Sequence, residues 1–384
     1  MSTILRNVAP IRVTLLGGIL LVVAIVAAFF NPLQFFHSYL FAWLYWLGMT
    51  LGGFGLLMLH HLVGGRWGFP VRRIYEAGIR TAPFLAIGAL PIVIGLRDIY
   101  TWDQPAIVQA SEVLQRKHAY LNGPFFVARL ALYFAIFTYM AWYLSSWSRK
   151  QDATLDPEPT RRLRTFSGPG VCFFFIVATL ADVDLILSLE AEWYSTIFAA
   201  IVIVSNALSV LAFSILFLAL VRHREPYVGL LSADTWHHLG NLLLAFVMLW
   251  AYLAFSQLLI IYSGNQPKEI VWYLHRCYGG WKTVGLFLFL LHFAIPFAML
   301  LSREAKRRAE TLAWIAGLVL VGHVLDVYWV VVPTFAPNGV ELHWQDLWLF
   351  VALGILWSAA FLHYLKREPL IPCNDPRMEL HAVI

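Results

Sequence analysis

The sequence predicts an all-α, polytopic membrane protein with about ten transmembrane helices, and three observations predict it. Of 384 residues, 60% are hydrophobic and only 13% charged, against roughly 25% charged in a soluble domain. Apolar stretches of about 20 residues, the length a helix needs to cross the hydrocarbon core, recur ten times along the chain. Lys and Arg fall almost wholly in every second link between those stretches, as they do where links alternate between the two faces of a membrane.

The spans read 12–30, 36–62, 81–98, 124–147, 167–188, 193–221, 239–262, 281–302, 311–333 and 344–365. The first follows Arg6 and Arg12 in the manner of a signal peptide. Its apolar run exceeds the roughly 7–15 residues of a signal core, so it is expected to remain as a flanking helix within 1–35. Spans 2–5 and 6–9 are expected as two four-helix bundles, over 36–190 and 191–335, because most links are short and suit antiparallel neighbours. Span 10 and a tail occupy 336–384. An even number of helices per group gives the second group the orientation of the first. In keeping with this, residues 36–42 (Phe-His-Ser-Tyr-Leu-Phe-Ala) opening span 2 are similar to residues 193–199 (Trp-Tyr-Ser-Thr-Ile-Phe-Ala) opening span 6. Only Arg97, Arg116, Lys117, Lys268 and Arg276 lie in links on the minority side, so both termini are expected in the cytoplasm.

Cys172, Cys277 and Cys373 form no Cys-x-x-Cys, no Cys-x-x-Cys-His and no zinc-type spacing, which excludes a covalent haem or an iron–sulfur cluster built from this chain alone. The pI near 9.1 reflects basic loops between apolar spans, so topology accounts for it and nucleic-acid binding is not indicated. Tryptophans such as Trp193, Trp236, Trp272, Trp281, Trp344 and Trp348 sit at span ends, as an interfacial belt does.

Ionisable residues inside spans mark candidate sites, because each costs about 2.5–3.5 kcal/mol even on the mildest insertion scale. At 1.5 Å per residue, Asp182 and Asp184 on span 5 lie about 21 and 24 Å from the cytoplasmic edge, and Arg129 on span 4 lies about 22 Å from it. One of the two carboxylates can therefore meet Arg129; about 200° of helix separates them, so the other faces a second helix or water. His37 on span 2 and Arg97 and Asp98 on span 3 add polar groups in the outer half of this first bundle. In the second bundle His292 and His323 both fall about 16 Å from opposite edges, near the midplane. His323 and Asp326 are i, i+3 and share a helix face, so the carboxylate can hold the imidazole. Lys282 on span 8 and Asp326 on span 9 lie further outward, Asn206 and Tyr252 add hydrogen-bonding groups on spans 6 and 7, and His237, His238 and Asn241 begin span 7 while His60 and His61 end span 2, at the cytoplasmic surface. Two readings of these groups stay open: an ion-pair network that fixes helix register, or a proton or quinol-linked path. Pro91 and Pro296 fall inside spans 3 and 8, where freed carbonyls often border cavities.

Three stretches carry a resemblance: Ala-Asp-Val-Asp-Leu-Ile-Leu-Ser-Leu-Glu-Ala-Glu-Trp-Tyr-Ser-Thr-Ile-Phe at 181–198, Leu-Gly-Asn-Leu-Leu-Leu-Ala-Phe-Val-Met-Leu-Trp-Ala-Tyr at 239–252, and Gly-Gly-Trp-Lys-Thr-Val-Gly at 279–285 followed by Leu-His-Phe-Ala-Ile-Pro-Phe at 291–297. Together they resemble the smaller, ActF-type NrfD-like membrane subunits of bacterial alternative complex III, a quinol:electron-acceptor oxidoreductase. The resemblance implies a multi-pass subunit of the bacterial cytoplasmic (inner) membrane with no cofactor and no catalytic residue of its own, acting as scaffold and proton path. It implies as partners a larger NrfD-like membrane subunit, an iron–sulfur subunit and multihaem cytochrome c subunits, with c-type haems and iron–sulfur clusters elsewhere in the complex and menaquinol or ubiquinol as its substrate. The family's polar path carries over to His292, His323, Asp326 and Lys282 in the second bundle and to Asp182, Asp184 and Arg129 in the first. The pair His237–His238 departs from the His-Asp expected before Leu-Gly-Asn. Two other classes compete: a stand-alone secondary transporter, which would carry broken helices at matching places in its halves, and a b-type cytochrome with His292 and His323 as haem ligands. Phe293 and Val324 beside those histidines do not offer the space a macrocycle needs.

Overall fold

The computed structural model describes residues 10–377; residues 1–9, with Arg6, and residues 378–384 of the tail lie outside the described residues. The described chain is helical with no strand. Nine of its helices are long and apolar enough to cross a membrane: α2 (Pro32–Val63), α3 (Gly68–Ile94), α4 (Gly123–Ala153), α5 (Glu158–Leu185), α6 (Phe198–Val221), α7 (Ala233–Gly264), α8 (Trp281–Leu300), α9 (Ala309–Thr334) and α10 (Trp344–Leu365). A tenth, α1 (Pro10–Ala28), carries a shorter apolar run over 13–26.

Local chemistry sets several of the ends. Asn31 accepts from the Gln34 amide ahead of Pro32 at the start of α2, and Gly64, at φ 70°, ends that helix in the left-handed conformation. Ser232 caps α7 and left-handed Asn265 closes it; His343 and Asp346 form a reciprocal capping box on α10. Each arrangement satisfies backbone groups that a helix end leaves open.

Neighbouring helices fall into two rings of four, α2–α3–α4–α5 and α6–α7–α8–α9, which meet where α2 packs against α6. Two glycines make that contact close. A Cβ on Gly48 would fall 2.2 Å from Asn206 Oδ1, and one on Gly52 would fall 2.2 Å from the Asn206 carbonyl oxygen. This is the small-x-x-x-small spacing that lets helix backbones touch in lipid. Outside the rings α10 packs on α1 and α2, with Trp348 Nε1 donating to the Leu20 carbonyl at 2.9 Å.

The largest departure from expectation is at the third span. The sequence places 64–80 in a cytoplasmic loop, but Gly68–Ile79 is a helix buried throughout, and Arg72 and Arg73 lie inside it. They are tolerated because they are paired: Arg72 Nε to Glu76 Oε1 at 2.8 Å and Nη1 to Asp375 Oδ2 at 3.0 Å, Arg73 to Glu76 Oε2 at 2.5 Å and to Asp152. The tail folds back to supply Asp375, and Arg377 Nη1 reaches the His61 carbonyl at 3.2 Å. Burial pushes the Asp375 carboxyl up, but the Arg377 and Arg72 guanidinium groups more than offset it and hold it below the usual carboxylate range. Past residue 79 the third segment continues as short pieces, Ala82–Ile87, Leu90–Ile94 and Leu96–Ile99. Side chains of α2 take up carbonyls freed there: Trp43 Nε1 donates to Leu85 O at 3.1 Å and Tyr39 Oη to Gly88 O at 2.8 Å.

Candidate functional site

The midplane histidines converge. Span 8 is not a regular α-helix: residues Phe289–Ala294 form a π-helical turn with His292 in it, an irregularity often found at functional sites. Gly322 on α9 completes the approach, since a Cβ there would fall 2.7 Å from His292 Cβ and 2.8 Å from its Cα. Backbone contact at that point sets the His292 and His323 rings 6.1 Å apart and nearly parallel. Both imidazoles are buried.

The sequence predicts that Asp326 holds His323 directly. Instead Ser205, from α6, stands between them as the hub. Its hydroxyl donates to Asp326 Oδ2 at 2.5 Å and lies 3.0 Å from His323 Nδ1 and 3.5 Å from His292 Nε2. With the hydroxyl hydrogen committed to the carboxylate, Ser205 accepts from His323 Nδ1–H. That tautomer leaves a lone pair on His323 Nε2, which is buried without a hydrogen-bond partner. His292 Nδ1 lies 3.1 Å from the Val319 carbonyl; donation there fixes its ring and turns the Nε2 lone pair toward Ser205. Among the described residues, His292, His323 and Asp326 are also a group whose ligand-type atoms all lie within 4.8 Å of one another.

The cluster opens on a cavity of about 530 Å³ between α6, α7, α8 and α9, whose lining includes Ser205, His323, Asp326, Trp329 and Gln257. Trp329 Nε1 is a second unpartnered buried polar atom at its wall. On its wall Gln257 Oε1 accepts from Ser195 Oγ at 3.0 Å and Gln257 Nε2 faces Tyr273 Oη at 3.4 Å. Asn206 also lines the cavity, with its side-chain amide set against Gly48. Tyr252 lines the cavity from an exposed position.

In the first bundle Arg129 and Asp184 pair as the matched depths predict. The fork is bidentate, Nε to Oδ2 at 2.7 Å and Nη2 to Oδ1 at 3.0 Å, and Tyr133 Oη adds a third bond to Oδ2 at 2.8 Å. The guanidinium also lies 3.8 Å from the Tyr120 ring centroid and donates to the Tyr120 carbonyl. Asp182 faces elsewhere; its Oδ2 is buried without a partner.

Several predicted residues do not join either group. His37 stacks on Phe335 at 3.8 Å and its Nε2 meets the Asp98 carbonyl at 3.1 Å, but Asp98 itself is exposed and Arg97 pairs with Asp103, so these polar groups of the first bundle do not join Arg129 and Asp184. Lys282 is exposed in the first turn of α8, apart from Asp326. His237 contacts Asn241 at 3.2 Å and His238 is exposed; among the described residues no hydrogen-bond chain runs from them to His323. His60 and His61, expected at the surface, are fully buried, and none of their ring nitrogens has a partner.

Sequence reasoning misses Ser205, since a serine in an apolar helix ordinarily bonds its own backbone. It also misses the clamp of Arg276, which donates to Glu190 Oε1 at 2.8 Å and to the carbonyls of Trp329 and Val330, tying the end of the first bundle to α9. A bis-histidine haem does not fit between His292 and His323, because the two backbones touch at Gly322 where the macrocycle would lie. The donor set N, N and carboxylate O suits a metal ion better. No family model matches this chain, and no curated protein does.

Proposed function

We propose that this protein is an integral subunit of a quinol-oxidising electron-transfer complex of the alternative complex III kind, in a bacterial inner membrane, and that its second bundle moves protons between the midplane and the outer side. The likeness of 181–198, 239–252, 279–285 and 291–297 to NrfD-like subunits supports the first half. Under that likeness the larger NrfD-like subunit and an iron–sulfur subunit oxidise quinol, multihaem cytochromes c take the electrons, and this chain supplies scaffold and proton path.

One observation carries the second half: the Ser205 hydroxyl joins Asp326 and His323 in a single buried chain. A proton arriving at His323 Nε2 from the cavity releases Nδ1–H to Ser205 while the hydroxyl hydrogen passes to Asp326. Three bonds shift and no side chain moves.

The experiment is Asp326→Asn in the complex purified in mild detergent and reconstituted in vesicles. Proton release per quinol through this route falls at least about tenfold, since a positioned proton transfer is worth roughly 10²–10⁴, while quinol oxidation and subunit composition hold. An unchanged proton yield overturns the relay. Co-purification without a multihaem cytochrome c and an iron–sulfur subunit overturns the membership. The transporter alternative draws on the interruptions in α3 and α8. These fall on the second helix of one group and the third of the other, whereas repeat-built transporters break matching helices.

A further inference from the structure

We propose that His292 Nε2, His323 Nδ1 and Asp326 Oδ2 form a reversible binding site for a borderline divalent metal ion of the Zn²⁺ class, entered from the cavity between α6, α7, α8 and α9. The inference uses the same cluster as the proton path but does not depend on protons moving through it.

Four observations carry it. First, the three atoms converge on one point. Each lies within 3.5 Å of Ser205 Oγ, and the three residues offer ligand atoms within 4.8 Å of one another. Tetrahedral coordination at Zn–N and Zn–O distances of about 2.0–2.2 Å asks for contraction by about an ångström and for the Ser205 hydroxyl to turn away to its own helix, as Ser209 Oγ already does in donating to the Ser205 carbonyl at 2.7 Å. Second, His292 is held as a ligand is held. Its Nδ1 is fixed on a backbone carbonyl, the support that orients the opposite nitrogen of most metal-bound histidines. Third, the fourth position faces space: Asp326, His323 and Ser205 all line the cavity, so a water can complete the shell. Fourth, the groups nearest the centre add no positive charge, because Lys282 is exposed at the end of α8 and Arg129 is engaged with Asp184 in the other bundle.

The donor set decides the class of ion. Two imidazoles and one carboxylate suit Zn²⁺, Co²⁺, Ni²⁺ or Cu²⁺, whereas Ca²⁺ needs 6–8 oxygens and Mg²⁺ an oxygen octahedron with several waters. An ion seated here takes His323 Nδ1, whose proton moves to Nε2 as the imidazole changes tautomer, together with an Asp326 oxygen, and so interrupts any chain through Ser205.

Purified protein in its native assembly is titrated with Co²⁺ as the probe, read by its ligand-field absorption and by bound metal per chain, with Zn²⁺ as competitor and Mg²⁺ as control. Expected are one Co²⁺ per chain in a four-coordinate spectrum, displacement by Zn²⁺ and no displacement by Mg²⁺. His323→Ala and the nearly isosteric Asp326→Asn weaken binding by at least about 100-fold, more than the roughly 10–100-fold that loss of a supporting hydrogen bond brings. Ser205→Ala retains binding, because it empties the centre and leaves the ligands in place. His237→Ala and His238→Ala leave it unchanged. Absence of the spectrum in the unmodified protein, equal binding in Asp326→Asn, or loss of binding in Ser205→Ala overturns the site. Ser205→Ala also separates this inference from the proton path: it breaks the hydroxyl chain while sparing the metal ligands, so either can fail alone.

Discussion

The Arg129–Asp184 pair shows how a charged side chain is kept inside a span. Each carboxylate oxygen of Asp184 has a partner, and the guanidinium is roofed by Tyr120 and Phe125, its centre 3.8 and 4.4 Å from their ring centroids. With side chains exposed by only 8% and 1%, the pair resists replacement of one member. Arg129→Ala leaves a buried carboxylate without a counter-charge and is expected to cost about 3–5 kcal/mol, whereas removing both members with Asp184→Leu recovers most of that loss. Thermal unfolding followed by tryptophan fluorescence in detergent checks this, and an Arg129→Ala protein as stable as the parent would contradict it. Equal depth on antiparallel helices made this pair legible in the sequence. The Ser205 hub was not, because a hydroxyl in a strongly apolar helix gives no sign of whether it bonds its own backbone or a neighbouring helix. His60 and His61 were misplaced for a related reason. They end a helix, where exposure is the rule, and only the folded-back tail and the α3 extension bury them.

At the scale of the element, glycines set where helices touch. Gly317 and Gly322 lie on the same helix, yet a Cβ at 317 meets nothing within 4 Å while one at 322 meets the His292 backbone. Gly317→Ala is therefore expected to be neutral or to stabilise by up to about 1 kcal/mol, and Gly322→Ala to destabilise by about 1–3 kcal/mol, the usual penalty for overpacking, and to separate His292 from His323. Unfolding midpoints of the two variants supply the comparison; the same midpoint for both would mean α8 and α9 do not approach at 322. Element boundaries follow the same logic of legibility. Apolar length located most of the spans, and α10 matches its predicted range, 344–365, but it missed the charged start of α3. The α3 extension was hidden because Arg72, Arg73 and Glu76 look like loop residues until Ser148, Asp152 and Asp375 arrive from distant parts of the chain to pair with them. A span's core is written locally in hydrophobicity, but its charged end is written in contacts up to 303 residues away.

For the whole molecule, the Arg276–Glu190 clamp marks one end of the two rings, and the Arg72–Glu76–Asp375 network marks the opposite one. Cysteines mark both. Cys277 is exposed in the link between α7 and α8, Cys373 is exposed in the tail, and Cys172 is exposed within α5. Three membrane crossings, α8, α9 and α10, separate Cys277 from Cys373, and an odd number puts them on opposite faces. The basic residues Arg303, Lys306, Arg307 and Arg308 lie in the link on the tail's side, the face that the positive-inside rule expects in the cytoplasm. A membrane-impermeant maleimide is expected to label Cys277 in right-side-out vesicles, Cys373 in inverted vesicles and Cys172 in neither, because its thiol faces lipid. Labelling of Cys277 and Cys373 from the same face would mean that one of the last three helices does not cross, and the α6–α9 ring that brings Ser205, His292, His323 and Asp326 together could not then form within a bilayer.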